Sequence, residues 1–481
     1  MLHQQPPVNV VNISKDCGEI KELWLQQPVD HFDVNNTETW LMRYFVNDNF
    51  YQVGAPIFVF VGGEWEILPH MLQSGHFYDM AKQQEALMFY TEHRYYGQSW
   101  PKSDSSTDNL QFLNVLQSLE DLKSFLIYQK SSTKALSNAK VVLVGGSYSG
   151  SMVAWFMKLY PEMAVAAWAS SAPLKAKMDF NEYMTLTLTS LQQKGGVKCA
   201  QKLDEAFKGL VKSMNTNKAY SLLRKLNICQ TFDATNHLDR QAFFNGLGNY
   251  FAGLVQSYSS FIPQFCLTFT KLDFKPTEAL IKYFAQVFAN KEELKNREEF
   301  EEWCLDFSYQ GLKSIFTDVN ELTTGTRPWF YQTCQEFGWF STTATINATT
   351  NEVFTVRPYT PTFGGQVPLS YFQQLYQDVF MENIGHGTLY SSLTLQQLQA
   401  RALAINKLFG GFSNVSKRVV FTHGLLDPWR AAGLQNGQNV LLIKDYSHVE
   451  DMGSINLKDT VDMNVAKLKV SSFINRNLRH N

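Results

Sequence analysis

The sequence predicts an α/β fold in which one mainly parallel sheet is interrupted by a large, mainly helical insertion. Two observations carry this. From residue 39 to 170 short apolar runs alternate with helix-length segments, the pattern of successive βαβ units. From Asn181 to about Gly325 the strand pattern stops and helix-period segments replace it. A third observation closes the domain: strand-like runs return at Lys417–Thr422 and Asn439–Lys444, and a terminal helix starts near Asn456.

The first-half strands are expected at Thr39–Val46, Ala55–Val61, Ala86–Thr91, Lys140–Val144 and Ala164–Ser170. Val115–Gln129 and Ser151–Tyr160 are the helices between the later ones. Within the insertion, Gln241–Ser257 places Phe243, Phe244, Leu247, Phe251, Leu254 and Val255 on one face, as a packed helix requires. The Thr-rich stretch Ser341–Asn351 reads as an exposed loop. The expected organisation is therefore a sheet domain over residues 1–174, a helical cap over 175–325 and the second part of the sheet domain over 326–481.

At 481 residues, 44% apolar and 18% charged, the chain has the composition of an ordinary globular protein, which excludes a disordered or fibrous chain. A formal charge of −2 gives no electrostatic footprint for nucleic acid or an anionic membrane. No apolar run approaches the ~18 residues that suggest a transmembrane helix, so no membrane insertion is expected. The N-terminal MLHQQPPVNVV lacks the basic flank and apolar stretch of a signal peptide. Sequons at Asn12, Asn35, Asn347 and Asn414 and six dispersed cysteines nevertheless favour a glycosylated protein of an oxidising compartment whose signal has been removed. Six cysteines suit two or three disulfides, with buried free thiols as the alternative, and their spacing argues against zinc. Neither a metal nor an organic cofactor is implied, since H-E-x-x-H, P-loop and dinucleotide patterns are missing.

The chemistry centres on Val141-Val-Leu-Val-Gly-Gly-Ser147-Tyr-Ser-Gly, an apolar run that ends in glycines around one serine and passes into a helix pattern. A serine at such a strand–elbow–helix turn projects its hydroxyl above the sheet, and the following backbone N–H can face a developing oxyanion. Ser147 is the candidate nucleophile and Tyr148 the first oxyanion donor. Ser149 stands where the usual pattern has glycine, and a tight structural turn or a phosphate cradle is the bland alternative.

A serine hydroxyl needs an imidazole to take its proton and a carboxylate to orient that imidazole. In α/β-hydrolases they follow in the order Ser, acid, His. His448 comes four residues after the strand-like run Asn439–Lys444, and Asp427 comes just after Lys417–Thr422, so these two are the expected base and acid. His423 precedes the acid and His480 is penultimate, which leaves both as structural. Asp445, Glu450 and Asp451 crowd the histidine loop and read as capping or solvated groups. The second oxyanion donor is expected from Gly62-Gly63 after Phe58-Val-Phe-Val61, with Gly63 as the candidate. Glu64 and Glu66 at that mouth are either ordinary loop carboxylates or partners for a substrate amine.

Four separated motifs also carry a resemblance: GGSYSG at 145–150, EHRYYGQS at 92–99, SSAP at 170–173 and the Asp-Pro-Trp of 427–429. Together they resemble the family of lysosomal Pro-X carboxypeptidase and dipeptidyl peptidase II. Asp179-Phe-Asn-Glu-Tyr183 and Arg327-Pro-Trp-Phe-Tyr-Gln-Thr-Cys-Gln-Glu-Phe-Gly338 are most similar to its thymus-specific serine protease branch.

The resemblance implies an α/β-hydrolase fold with a helical cap, the triad Ser147, Asp427 and His448, and a lysosomal or secreted serine exopeptidase acting on peptides. It implies that Trp429 matches a tryptophan that stacks on the substrate proline. Ser151 stands where the family has a pocket methionine, and Met452 where it often has tryptophan. The Gly-Asn-Glu-Gly-Asp loop of the family corresponds to Gly62-Gly63-Glu64-Trp65-Glu66, so Glu64 carries over while Gly63 and Trp65 depart.

Family members cut from either peptide end; Glu64 tips the reading toward N-terminal dipeptide release, with a Pro-X type carboxypeptidase as the alternative. An esterase, a catalytically silent binding protein and a structural glycoprotein are the readings from other classes, and association of two chains into a homodimer stays open.

Overall fold

The computed structural model describes residues 20–289, 304–344, 362–381 and 394–480. Among these residues ten strands run in chain order: β1 (Lys21–Pro28), β2 (Thr39–Asn47), β3 (Ile57–Val61), β4 (Leu87–Thr91), β5 (Val141–Gly146), β6 (Ala166–Ser170), β7 (Lys177–Asp179), β8 (Gly338–Phe340), β9 (Val419–Gly424) and β10 (Val440–Ile443). Eight form one sheet in the order β1-β2-β4-β3-β5-β6-β9-β10, antiparallel at β1/β2 and β2/β4 and parallel elsewhere. This is the α/β-hydrolase fold.

The central strands are continuous apolar runs because helices cover both faces of the sheet. Alternate residues of each strand enter opposite cores. Ile57, Val59, Val141, Leu143, Ala167 and Phe421 face one core with Phe125 and Phe156 of helices Val115–Ser132 and Tyr148–Leu159. Phe58, Phe60, Val142, Val144, Trp168 and Val420 face the other with Phe77 of helix His76–Gln83 and Phe473 and Ile474 of helix Val461–His480. The strand β1 was not expected from the sequence. It pairs along its whole length with β2 and buries Leu23, Leu25 and Gln27, whose amide donates to the Asp121 carbonyl at 2.9 Å.

Between β6 and β9 lies the cap. Helices Asn181–Gly195, Val197–Met214, Ala219–Lys225, His237–Ser257, Ile262–Lys271 and Pro276–Ala289 build it, and the expected face of His237–Ser257 is buried at Phe243, Phe244, Leu247, Phe251 and Val255. Disulfides Cys199–Cys266 and Cys229–Cys304 tie it together; Cys334 is a buried free thiol, and Cys17 lies outside the described residues.

After residue 325 helices Thr326–Gln332, Leu369–Phe380 and Leu395–Phe409 and strand β8, which pairs in parallel with β7, precede the return to the main sheet at β9. One expectation is corrected: Ser341–Ala344 is not an exposed loop. Thr342, Thr343 and Ala344 are buried, with the Thr342 hydroxyl bonded to Asp179, while the rest of the Thr-rich stretch lies outside the described residues. Among the described residues no helix is long and apolar enough to cross a membrane. Asn35 and Asn414 are exposed, whereas Asn12 and Asn347 lie outside the described residues.

Candidate active site

Parallel strands bring the C-terminal ends of β3, β5, β6, β9 and β10 to one edge of the sheet, where the loops that follow them converge. At the end of β5 the chain reverses sharply into helix Tyr148–Leu159. Ser147 at the turn has φ 57° and ψ −131°, a conformation few non-glycine residues adopt, and it holds its side chain clear of both elements. The close approach requires glycine at 145, where a Cβ would sit 2.3 Å from the Ser149 carbonyl oxygen. Ser149, the departure at the second position after the nucleophile, fits by turning its hydroxyl inward. It donates to the Gly146 carbonyl at 2.9 Å and accepts the Gly146 N–H at 3.0 Å, bracing the elbow.

His448 joins the two other predicted residues. Its Nε2 lies 2.8 Å from Ser147 Oγ and its Nδ1 lies 2.9 Å from Asp427 Oδ2. An ionised carboxylate only accepts, so Nδ1 carries the proton and Nε2 is free to accept from the serine. Asp427 is completely buried and its second oxygen accepts the Trp429 N–H at 2.9 Å, which fixes the carboxylate plane. Burial pushes the His448 imidazole down, but the charge and hydrogen bond of Asp427 outweigh it and hold the group above its ordinary value. The histidine loop is anchored by the Val449 N–H donating to Ser171 Oγ at 2.9 Å and by Asp451, buried, accepting from Ser170 Oγ at 2.6 Å. Asp451 and Glu450, which accepts the Ser447 N–H, are thus loop braces. His423 is buried and pushed down to about 4 by that burial, a neutral core histidine. His480 belongs to the C-terminal helix.

Tyr148 is the first residue of its helix, where backbone N–H groups have no intrahelical acceptor and the helix dipole favours negative charge. Its side chain is held from behind. Gln332 Nε2 donates to Tyr148 Oη at 2.7 Å and Tyr96 Oη donates to Gln332 Oε1 at 3.1 Å, linking three of the sequence motifs into one buried network. Gly63 is buried at the end of β3, with the Trp65 ring packed directly over it. A Cβ at 63 would come 2.5 Å from Trp65 Cζ3. The two departures in this loop are therefore coupled: the indole occupies the space that a side chain at 63 would need.

A cavity of about 540 Å³ opens over this edge, and its lining includes Glu64, Trp65, Glu66, His70, Ser147, Gln256, His448 and Met452. Among the described residues its lining contains no Lys or Arg. Glu64 Oε2 is shut off from solvent without a hydrogen-bond partner among the described residues, and burial pushes this carboxyl up to about 7 despite the neighbouring His448. Met452 reaches the cavity and packs over Gly146. Trp429 stands beside it, its ring 6.3 Å from the His448 ring and enclosed by Phe180, Tyr183 and Trp339. Ser151 is placed elsewhere: it is buried inside its helix and donates to the Pro173 carbonyl at 2.8 Å, away from the residues that line this cavity. Among the described residues no group of three or more His, Cys, Asp or Glu is arranged to hold a metal ion.

Three residues of the site have no counterpart in the sequence reading. Arg43 and Glu92 form a buried ion pair at 2.7 Å that pins the Glu64–Ile67 loop: Glu92 accepts the Ile67 N–H at 3.0 Å and Arg43 donates to Glu66 at 3.1 Å. Glu92 opens the EHRYYGQS motif, so its signal was visible but its task was not. Gln256, from the cap, reaches the triad by a tertiary contact that no local pattern encodes.

A family model described as serine carboxypeptidase S28 matches residues 27–470. Thymus-specific serine protease of Mus musculus is 27% identical over 471 residues, covering 94% of this chain and 86% of its own length. Lysosomal Pro-X carboxypeptidase of Homo sapiens is 25% identical over 480 residues, covering 96% and 89%. The solved structure of VrEH2 covers 96% of this chain and 99% of its own at a TM-score of 0.34 and 12% identity. With the model matched over nearly the whole chain, this protein belongs to the serine carboxypeptidase S28 family of serine peptidases.

Proposed function

We propose that the chain is a serine exopeptidase that acylates Ser147 and releases N-terminal dipeptides. The observation that carries the mechanism is His448 standing between Ser147 Oγ and Asp427 within hydrogen-bond reach of both. Ser147 Oγ attacks the scissile carbonyl carbon and passes its proton to His448 Nε2. The Tyr148 and Gly63 N–H groups meet the oxyanion. As the C–N bond breaks, His448 returns the proton to the leaving amine, and water activated by the same imidazole then cleaves the acyl-enzyme. Asp427 holds the tautomer and stabilises the imidazolium.

The polarity reading rests on the cavity lining, which among the described residues offers carboxylates at Glu64 and Glu66 and no cationic side chain apart from histidine. A substrate ammonium finds a partner in Glu64, whereas a terminal carboxylate finds neither Lys nor Arg among the described lining residues. Two disulfides and the exposed sequons Asn35 and Asn414 support an oxidising, lysosomal or secreted setting.

Digestion of one peptide library, free at both ends, N-acetylated or C-amidated, tests the reading by mass spectrometry. Dipeptide loss that acetylation abolishes and Ser147→Ala removes is expected. C-terminal trimming that amidation abolishes establishes a carboxypeptidase instead, and ester hydrolysis without peptide cleavage moves the assignment to an esterase.

A further inference from the structure

Gln256 is the penultimate residue of cap helix His237–Ser257 and meets the sheet domain's active-site edge at several points. Its Oε1 accepts from Trp429 Nε1 at 2.8 Å and, within the cap, from Tyr183 Oη at 2.7 Å. Its backbone carbonyl accepts the His448 N–H at 3.4 Å, and the residue lines the cavity that holds Ser147. An amide oxygen has two lone pairs, so these two donors saturate Oε1 and settle which end of the amide is oxygen. The Nε2 group, with two N–H donors, is left without a protein acceptor among the described residues.

We propose that Gln256 is a specificity-determining residue of the peptidase reaction, donating a hydrogen bond from Nε2 to a backbone carbonyl of the bound peptide. This rests on the serine peptidase reading above. A neutral donor suits a neutral carbonyl, and among the described residues the lining has no Lys or Arg to make the spot a carboxylate site. Because the amide is locked at its oxygen end by Trp429 and Tyr183, the donor is positioned before substrate arrives. A substrate that lacks the carbonyl leaves the N–H groups without that partner, so the residue favours peptides over simple acyl compounds.

Gln256→Glu tests this, because it keeps an oxygen for Trp429 and Tyr183 and exchanges the N–H donor for a carboxylate oxygen, whose charge near His448 acts on peptide cleavage and on Ser147 labelling alike. Peptide kcat/KM is expected to fall about 10- to 100-fold, at least about tenfold more than the rate of Ser147 labelling by a small fluorophosphonate. Gln256→Met, which removes both ends of the amide, should lower both rates. Peptide kcat/KM within about twofold of the parent overturns the proposal, and so does an equal fall in both rates, which marks a residue that only holds Trp429 and the histidine loop. A parent protein that labels at Ser147 but cleaves no peptide overturns the peptidase reading itself, a result distinct from either.

Discussion

His448 Nδ1 lies 2.9 Å from Asp427 Oδ2, although the two residues stand on different loops after the adjacent strands β9 and β10. That contact sets both the tautomer and the proton affinity of the base. In the proposed mechanism acylation requires neutral His448, so kcat/KM should be lost as pH falls through a value above the ordinary 6.5 of histidine. In Asp427→Asn burial prevails and the acid limb should move to lower pH, while the plateau falls about 10,000-fold. A pH–rate profile of both proteins checks the shift.

Glu64 is expected to capture the substrate amine only when ionised. With its carboxyl pushed up to about 7, capture should weaken as pH falls below that value. Glu64→Gln should lower kcat/KM for free-amine peptides about 10- to 100-fold and leave a much smaller change for N-acetylated esters. The stability effect has the opposite sense. A raised carboxyl pKa favours the folded state while protonated and penalises it as pH rises from 4.5 through about 7. Thermal unfolding should therefore show the glutamine variant more stable than the parent at pH 8 and equal to it at pH 4.

Gly63 and Trp65 should behave as one unit. Gly63→Ala places a Cβ against the indole and should cost about 1–3 kcal/mol of stability. Replacing Trp65 by glycine at the same time removes the clash, so a double-mutant cycle by denaturant unfolding should show coupling of at least about 1 kcal/mol.

The Cys199–Cys266 disulfide spans 67 residues within the cap. Replacing both cysteines by serine should destabilise the protein by about 4 kcal/mol through the freed entropy of the unfolded chain. Hydrogen exchange should rise mainly in helices Asn181–Gly195, Val197–Met214 and Ile262–Lys271, which this bond and its neighbours hold together.

How far the sequence carried depends on whether local chemistry determined the feature. The central strands were readable because burial on both faces makes Val141–Val144 and Phe58–Val61 uniformly apolar. The grouping of Ser147, Asp427 and His448 within hydrogen-bond reach was expected because the chain order of an elbow serine, an acid and a histidine is tied to strand ends. β1 was not, since KELWLQQP mixes charge and amide with its inward leucines, and Gln27 is buried only because it finds a carbonyl on another element. The aromatic segment after residue 325 has no strand or helix periodicity of its own, and its helix Thr326–Gln332, which tethers Tyr148 through Gln332, follows from tertiary packing. Ser151 was assigned to the pocket through a matched position, but its hydroxyl is satisfied inside the helix packing. The role of Gln256 follows from contacts 173 residues apart in the chain, which no periodicity or spacing reports.

The most direct test of the central claim is stoichiometric reaction with a fluorophosphonate followed by mass-spectrometric mapping of the adduct. One adduct per chain is expected on Ser147, absent from Ser147→Ala and strongly slowed in His448→Ala. An adduct on a different serine, or a properly folded protein that takes up no label, would contradict it.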